Sequence, residues 1–116
     1  MQRLIGAFRN SLRALGRLAR SEAAVQLELS LLVIALPVGW LVAGSWPTYA
    51  LLIGSVLFLI LVEVLNTAVE AACDAVSREF DVDIQLAKDC GSLAVLIAIL
   101  LTATVWLTVS WQRFAS

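Results

Sequence analysis

Histidine is absent from this chain of 116 residues, and cysteine occurs only twice. No imidazole is available as a general base or a metal ligand. Cys73 and Cys90 fit neither a Cys-x-x-Cys motif nor a zinc-ligand spacing, and we predict packed small side chains rather than a disulfide. The sequence also lacks the glycine-rich phosphate loops of common nucleotide-binding folds, G-x-x-x-x-G-K-[ST] and G-x-G-x-x-G.

Charge is scarce as well. Only 15% of the residues are charged and 61% are hydrophobic, with a mean hydropathy of +0.94. A soluble domain has about 25% charged and roughly 45–50% apolar residues, and one this small could not bury so much apolar surface. We therefore expect a membrane protein. Because five of the eight basic residues lie in the first 20 positions and no basic surplus follows, nucleic acid is not an expected partner.

Residues 1–27 are predicted to form an amphipathic helix. At 100° per residue the apolar side chains fall on one side and the arginines opposite, the pattern of a helix lying in the membrane interface. A cleaved signal peptide fits poorly, since Glu22 and Glu28 precede any long apolar run. The helix places these residues on its two faces: Leu4, Phe8, Leu12, Leu15 and Ala19 against Arg9, Arg13, Arg17 and Arg20.

Three apolar runs predict three membrane spans in a single all-α domain over 1–116. The spans cover 29–46, 48–70 (continuing as helix to about 78) and 90–111, with an uncharged turn at 44–48 and an acidic loop at 79–83. Tryptophans near the span ends are expected to anchor at headgroup level. The Lys/Arg bias places the N-terminus and the 78–88 loop in the cytoplasm, and the C-terminus on the periplasmic side.

Glu63, Asn66, Glu70 and Asp74 follow one another at helical spacing and share one face of a helix. An ionisable residue in a span costs on the order of 2.5–3.5 kcal/mol on insertion scales and marks a functional site by default. No Lys or Arg occurs between Glu22 and Asp74. Either a bound cation or a lysine from another helix is needed to neutralise this face.

Other polar groups map to the same membrane surface. Glu22 and Glu28 stand where the first helix meets the first span, and Lys88, Asp89 and Ser92 open the third. Several carboxylates beside one lysine predict a site for a metal-chelated polyanion, and MgATP suits it because Mg²⁺ is held by one or two carboxylates plus phosphates. Two simpler interpretations stay open: Glu63 could join helices by hydrogen bonding, and Gly91 could serve helix packing rather than substrate approach.

The motif E-x-L-N-T-A-V-E-x-x-C-D over 63–74, followed by A-K-D-x-G-S-x-A-V over 87–95, closely resembles the prokaryotic diacylglycerol kinase family. The resemblance implies a homotrimer of three-span subunits, each with an N-terminal surface helix, whose active sites are shared between neighbours. It also implies phosphorylation of diacylglycerol by MgATP to phosphatidate at the cytoplasmic face of the bacterial inner membrane, in lipid recycling and phospholipid metabolism.

The resemblance further implies roles for individual residues. Glu63 is similar in position to the catalytic base, and Glu70 and Glu22 to metal-bridging carboxylates. Asn66, Lys88 and Asp89 match further catalytic positions. The nucleotide side comprises Arg3, Glu22, Glu70, Glu79, Lys88 and Asp89, and the lipid side comprises Glu63, Glu28, Ser92, Trp106 and Trp111. The chain departs from the family pattern at Asn10, Gln26 and Cys73, where Tyr, Arg and Val are usual.

Two other functions remain open from the sequence. An undecaprenol kinase would share the motif and the fold. A non-catalytic membrane subunit or small channel could use the acidic face to pass cations.

Overall fold

Four helices make up the chain in the computed structural model, which describes residues 1–115. They are α1 (Gln2–Ser21), α2 (Ala23–Ala43), α3 (Trp46–Val76) and α4 (Val82–Phe114). Ser116, the last residue of the predicted domain, lies outside the described residues. The helices α2, α3 and α4 are each long and apolar enough to cross a membrane, which agrees with the three spans expected from the sequence.

The first predicted helix ends earlier than the hydrophobic pattern indicates. α1 stops at Ser21, and Glu22 takes an extended conformation with φ −109° and ψ 113°. The Gln26 side-chain amide then donates to the carbonyls of Ala19 at 3.0 Å and Arg20 at 3.3 Å. Because the last carbonyls of a helix have no partner within it, Gln26 caps α1 and fixes a corner at Glu22. No residue of α1 is buried within the chain, and its place on the membrane surface stays a prediction.

The turn between α2 and α3 is built from its own sequence. Gly44 ends α2 in the left-handed region with φ 78°, where glycine carries no Cβ penalty. Ser45 caps α3 by accepting from the Thr48 backbone N–H at 3.4 Å, and Pro47 lies in the first turn of that helix, where its missing N–H is no loss.

The connection between α3 and α4 is shorter than the predicted 78–88 loop, because α4 already begins at Val82, inside the predicted acidic loop 79–83. The Asp81 carboxylate accepts from the backbone N–H groups of Asp83 at 2.8 Å and Ile84 at 3.2 Å. An Asp at this position satisfies the unpaired donors of a helix start. The loop therefore spans only 77–81, and Lys88 lies inside a helix.

The core of the bundle is a stripe along α3, which packs against both α2 and α4. The stripe is apolar at Leu52, Val56 and Leu59 and then turns polar at Glu63 and Asn66, all at most 9% exposed. Successive long helices run in opposite directions, so the α2–α3 turn lies at one end of the bundle and the α3–α4 loop at the other. We call the half holding Glu22, Glu28, Glu63 and Glu70 the carboxylate end, and the half holding Gly44, Ser55 and Trp106 the turn end.

Both cysteines are free thiols, as expected. Cys73 is half-buried, whereas Cys90 is exposed, so the prediction that both are packed is wrong for Cys90. Its position on α4 points away from the helices of its own chain.

Candidate active site

Three polar residues of the predicted face lie together on α3. Glu63 is 8% exposed and Asn66 is 9% exposed, one turn apart on the same stripe. The Asn66 side-chain amide donates to Glu70 Oε1 at 3.3 Å. The helix alone therefore aligns a buried carboxylate, an amide and a second carboxylate that the amide orients.

Glu28 adds a buried carboxylate from α2. Its residue is only 6% exposed, and its Oε1 has no hydrogen-bond partner in the part of the chain that is described; the same holds for Asn66 Oδ1. Leaving a buried acceptor unpaired costs about 1–3 kcal/mol. Buried polar groups are nearly always hydrogen-bonded, so both oxygens are candidates for contact with a ligand.

Electrostatic repulsion connects the carboxylates of this end. Glu63 is repelled by Glu70 and by Glu22, and Glu28 is repelled by Glu63. The helices thus gather in one place the four glutamates that the sequence assigned to one membrane surface. Like charges held together in this way favour a bound cation.

The side chains of this site offer the oxygen ligands that Mg²⁺ prefers. Within residues 1–115, no three His, Cys, Asp or Glu side chains converge closely enough to hold a metal by themselves. Mg²⁺ is usually bound by one or two carboxylates and completes its shell with water and substrate phosphates. Glu22 and Glu70, together with the orienting Asn66, match that partial set of oxygen ligands.

Gly91 is where α4 approaches this site most closely. A Cβ on Gly91 would lie 3.1 Å from Asn66 Cγ and would overlap Asn66 Oδ1. Of the two interpretations left open by the sequence, helix packing against Asn66 is therefore confirmed. The glycine allows the backbone of α4 to close over the polar part of the α3 stripe.

Lys88 is a lysine from another helix that reaches the acidic face, where it pairs with Asp74. Its Nζ lies 2.8 Å from Asp74 Oδ1, with both side chains about 40% exposed, and it also attracts Glu70. Both residues lie outside the predicted spans. The hydrogen bond from Lys88 lowers the pKa of the Asp74 carboxyl, and the same bond raises the pKa of the Lys88 ammonium.

Comparison with known proteins identifies the family of the chain. The family model described as prokaryotic diacylglycerol kinase matches residues 9–110. The chain belongs to the prokaryotic diacylglycerol kinase family. A diacylglycerol kinase of Escherichia coli K12 is 35% identical over 112 residues, which cover 97% of this chain and 92% of that protein. Diacylglycerol kinases of Pseudomonas aeruginosa (35% over 109 residues; 94% and 89% covered) and Haemophilus influenzae (33% over 103 residues; 89% and 87% covered) are also similar.

This chain is accordingly a lipid kinase, and the motif over 63–74 supplies Glu63, Asn66 and Glu70 of the carboxylate end. Other predicted site residues of this family member lie elsewhere in the chain. Arg3 is 19 positions before Glu22, about 28 Å along α1, and Trp111 is 19 positions beyond Ser92 on α4, a similar length. Trp106 donates to Ser55 Oγ at 3.1 Å in the turn end. Asp89 and Ser92 are exposed on α4, and Glu79 is exposed in the loop.

Two contacts of this lipid kinase were not predicted from the sequence. The cap from Gln26 and the bond between Trp106 and Ser55 each join two different helices. Only the start of α4 carried a readable signal, since Asp81 precedes the helix as a typical N-cap residue.

Proposed function

We propose that this lipid kinase transfers the γ-phosphoryl group of ATP to the hydroxyl of diacylglycerol, giving phosphatidate. The reaction takes place at the cytoplasmic surface of the bacterial inner membrane and serves lipid recycling. The observation that carries the proposal is the buried polar stripe of Glu63 and Asn66, continuous with the apolar core of α3. A lipid hydroxyl and a charged nucleotide can meet only where an apolar surface adjoins a polar one, as it does along this stripe.

Glu63 acts as the general base. Its carboxylate accepts the proton of the lipid hydroxyl as that oxygen attacks the γ-phosphorus in line. The bond from the γ-phosphorus to the β–γ bridging oxygen breaks, and ADP leaves. Phosphoryl transfer depends mostly on positioning and charge neutralisation, and a well-placed base adds about 10²–10⁴-fold. Glu28, buried and unpaired beside Glu63, accepts a hydrogen bond from the lipid headgroup. Ser92 contacts the same lipid, and Trp106 lies deeper in the membrane along its acyl chains.

Glu22 and Glu70 are the residues that would hold magnesium. When bound, the metal ion would neutralise the charge on the ATP phosphates. Asn66 orients Glu70 through its amide, and the corner fixed by Gln26 presents Glu22. Lys88 and Asp89 bind the nucleotide at the start of α4, where Lys88 already attracts Glu70.

A homotrimer completes the site. Arg3 and Glu79 are proposed to contact ATP, yet Arg3 is about 28 Å from Glu22 along its own helix. A neighbouring subunit could bring an equivalent arginine to the carboxylate end. The large exposed apolar side chains along the helices, such as Leu57, Leu61 and Leu65, suit both lipid and subunit contacts.

A lipid panel tests the proposed substrate. Purified protein in detergent micelles is given MgATP labelled with ³²P at the γ position, together with diacylglycerol or undecaprenol. We expect the label in phosphatidate, with little in undecaprenyl phosphate. Preferential labelling of undecaprenol would contradict the proposed acceptor, and no lipid labelling together with cation flux in liposomes would establish the channel alternative.

A magnesium titration tests the metal ligands. In Glu70→Gln the Mg²⁺ concentration for half-maximal activity should rise strongly, because one of two charged ligands is lost. Asp83→Asn is the matched control, since Asp83 is an exposed acid on α4 outside the proposed site. An unchanged titration in Glu70→Gln would refute the role of Glu70.

A further inference from the structure

The turn end holds a pocket that the kinase reaction does not use. It has a volume of about 350 Å³ and lies where the α2–α3 turn meets the end of α4. Its lining residues come from all three long helices and the turn between them: Ala43, Gly44, Ser45, Thr48, Val109, Gln112 and Arg113.

Arg113 is the charged group of this pocket. A Cβ on Gly44 would lie 3.2 Å from Arg113 Nε and 3.3 Å from Cδ, so the arginine side chain lies directly over the glycine backbone. Gly44 also needs its left-handed φ of 78°. Glycine at position 44 therefore allows both the backbone conformation of the turn and the close approach of the Arg113 side chain.

Within residues 1–115, Arg113 makes no ion pair with an Asp or Glu. Residues 29–62 and 90–115 contain no Asp or Glu, and all nine acids belong to the carboxylate end or to the segments next to it. The guanidinium is also 5.7 Å from the Phe114 ring centroid, a contact with a ring face that leaves the planar N–H donors to other partners. An unpaired arginine fork suits a phosphate.

Hydroxyl groups supply further donors in the same pocket. Ser45 Oγ donates to Thr48 Oγ1 at 2.9 Å, and the Thr48 hydroxyl retains its own proton as a donor. The pocket thus presents a guanidinium and a hydroxyl, with no carboxylate among its lining residues.

The neighbouring aromatic rings indicate at which level of the membrane the pocket lies. Trp40, Trp46 and Tyr49 form a cluster with ring centroids 5.4–6.1 Å apart, and Trp111 is 74% exposed. Trp and Tyr concentrate at the headgroup level of a bilayer. The most abundant anionic group at the headgroup level of a bilayer is the phosphate of a phospholipid.

We propose that the Arg113 pocket binds the phosphate of an anionic phospholipid in the leaflet opposite the carboxylate end. The lipid phosphodiester accepts from Arg113 and Thr48, so it joins the end of α4 to the α2–α3 turn and stabilises the bundle. This site is independent of the kinase reaction and of its lipid substrate.

Titration with a soluble phospholipid tests the site. Dihexanoylphosphatidylglycerol is added to the purified protein in neutral detergent, and the thermal unfolding midpoint and the number of bound lipids by native mass spectrometry are recorded. We expect saturable stabilisation of the unmodified protein. Arg113→Gln should weaken the apparent affinity about tenfold or more, as expected for a lost charge-assisted hydrogen bond. Thr48→Val should weaken it less.

Two controls make the test decisive. Arg78→Gln removes a basic residue outside the pocket and should bind the lipid as the unmodified protein does. Inorganic phosphate separates a lipid headgroup from a free anion, and we expect that it neither stabilises the protein nor displaces the lipid. Equal lipid affinity in Arg113→Gln would overturn the site, and saturable binding of inorganic phosphate that displaces the lipid would overturn its assignment to phospholipid.

Discussion

The two ends of the helical bundle treat their polar groups in opposite ways. In the turn end the interior polar side chains are paired: Trp106 donates to Ser55 Oγ, Thr102 to the Ser55 carbonyl at 3.1 Å, and Tyr49 to the Leu36 carbonyl at 2.9 Å. In the carboxylate end, Glu28 Oε1 and Asn66 Oδ1 are buried and have no hydrogen-bond partner among residues 1–115. Paired groups stabilise a fold, whereas unpaired ones cost stability, as expected of the ligand-binding role proposed for Glu28 and Asn66.

The difference is sharpest along α3, where one stripe serves both purposes. Leu52, Val56 and Leu59 form the core of the turn end, and the same face continues as Glu63 and Asn66. The apolar side chains hold α3 against its neighbours, whereas Glu63 and Asn66 are the groups proposed to meet the substrates. Mutations in the two halves should therefore separate activity from stability.

The largest effect is expected from removing the charge of Glu63. Glu63→Gln should lower kcat by about 10²–10⁴-fold, the usual contribution of a general base, while MgATP still binds. The fold should persist, because a neutral amide relieves the repulsion from Glu22 and Glu70. Steady-state kinetics and nucleotide binding by calorimetry check this. Near-normal turnover would remove Glu63 from the mechanism.

A methyl group at Gly91 should damage both activity and stability. Gly91→Ala forces the new Cβ into the Asn66 amide, and overpacking of this kind costs about 1–3 kcal/mol. Gly54→Ala is the matched control, because a Cβ there meets no atom within 4 Å; in a helix it should be neutral or stabilise by about 0.5–1 kcal/mol. Equal unfolding midpoints for the two variants would contradict the close approach of α4.

Ser55→Ala tests the turn end in the opposite sense. The substitution leaves the Trp106 indole N–H without its acceptor in the membrane interior, which should cost about 1–3 kcal/mol of stability. Because Ser55 lies about 12 Å from Glu63 along α3, kcat should stay within a few-fold of the original. Denaturation in detergent beside initial-rate assays measures both. A large fall in kcat without a loss of stability would contradict the assignment of Ser55 to stability rather than activity.

The smallest effect is expected at the corner between α1 and α2. Gln26→Ala removes the cap on the Ala19 and Arg20 carbonyls, a loss of about 0.5–1.5 kcal/mol for each hydrogen bond. Amide hydrogen exchange should accelerate in the last turn of α1, and the Mg²⁺ requirement should rise modestly because Glu22 is held less firmly. Gln85→Ala serves as the control for an exposed glutamine on another helix. Unchanged exchange in α1 would show that the corner does not depend on Gln26.

The sequence predicted the helical spans and the polar face, but not the contacts between helices. The spacing of Glu63, Asn66 and Glu70 is a property of one helix, so periodicity was enough to place them together. The pairing of Lys88 with Asp74 and the contact of Gly91 with Asn66 depend on the rotation and register of α4 against α3. The break at Glu22 was missed for the same reason, because its stabilising partner Gln26 belongs to the next helix.

A paramagnetic nucleotide tests the central claim most directly. Mn²⁺ replaces Mg²⁺ in a complex with ATP, and line broadening of backbone amide signals is recorded in the isotopically labelled protein. The account predicts strong broadening around Glu70 and Lys88 and none around Ser45 and Thr48. Broadening at the turn end, or no difference between the two ends, would contradict the assignment of phosphoryl transfer to the carboxylate end.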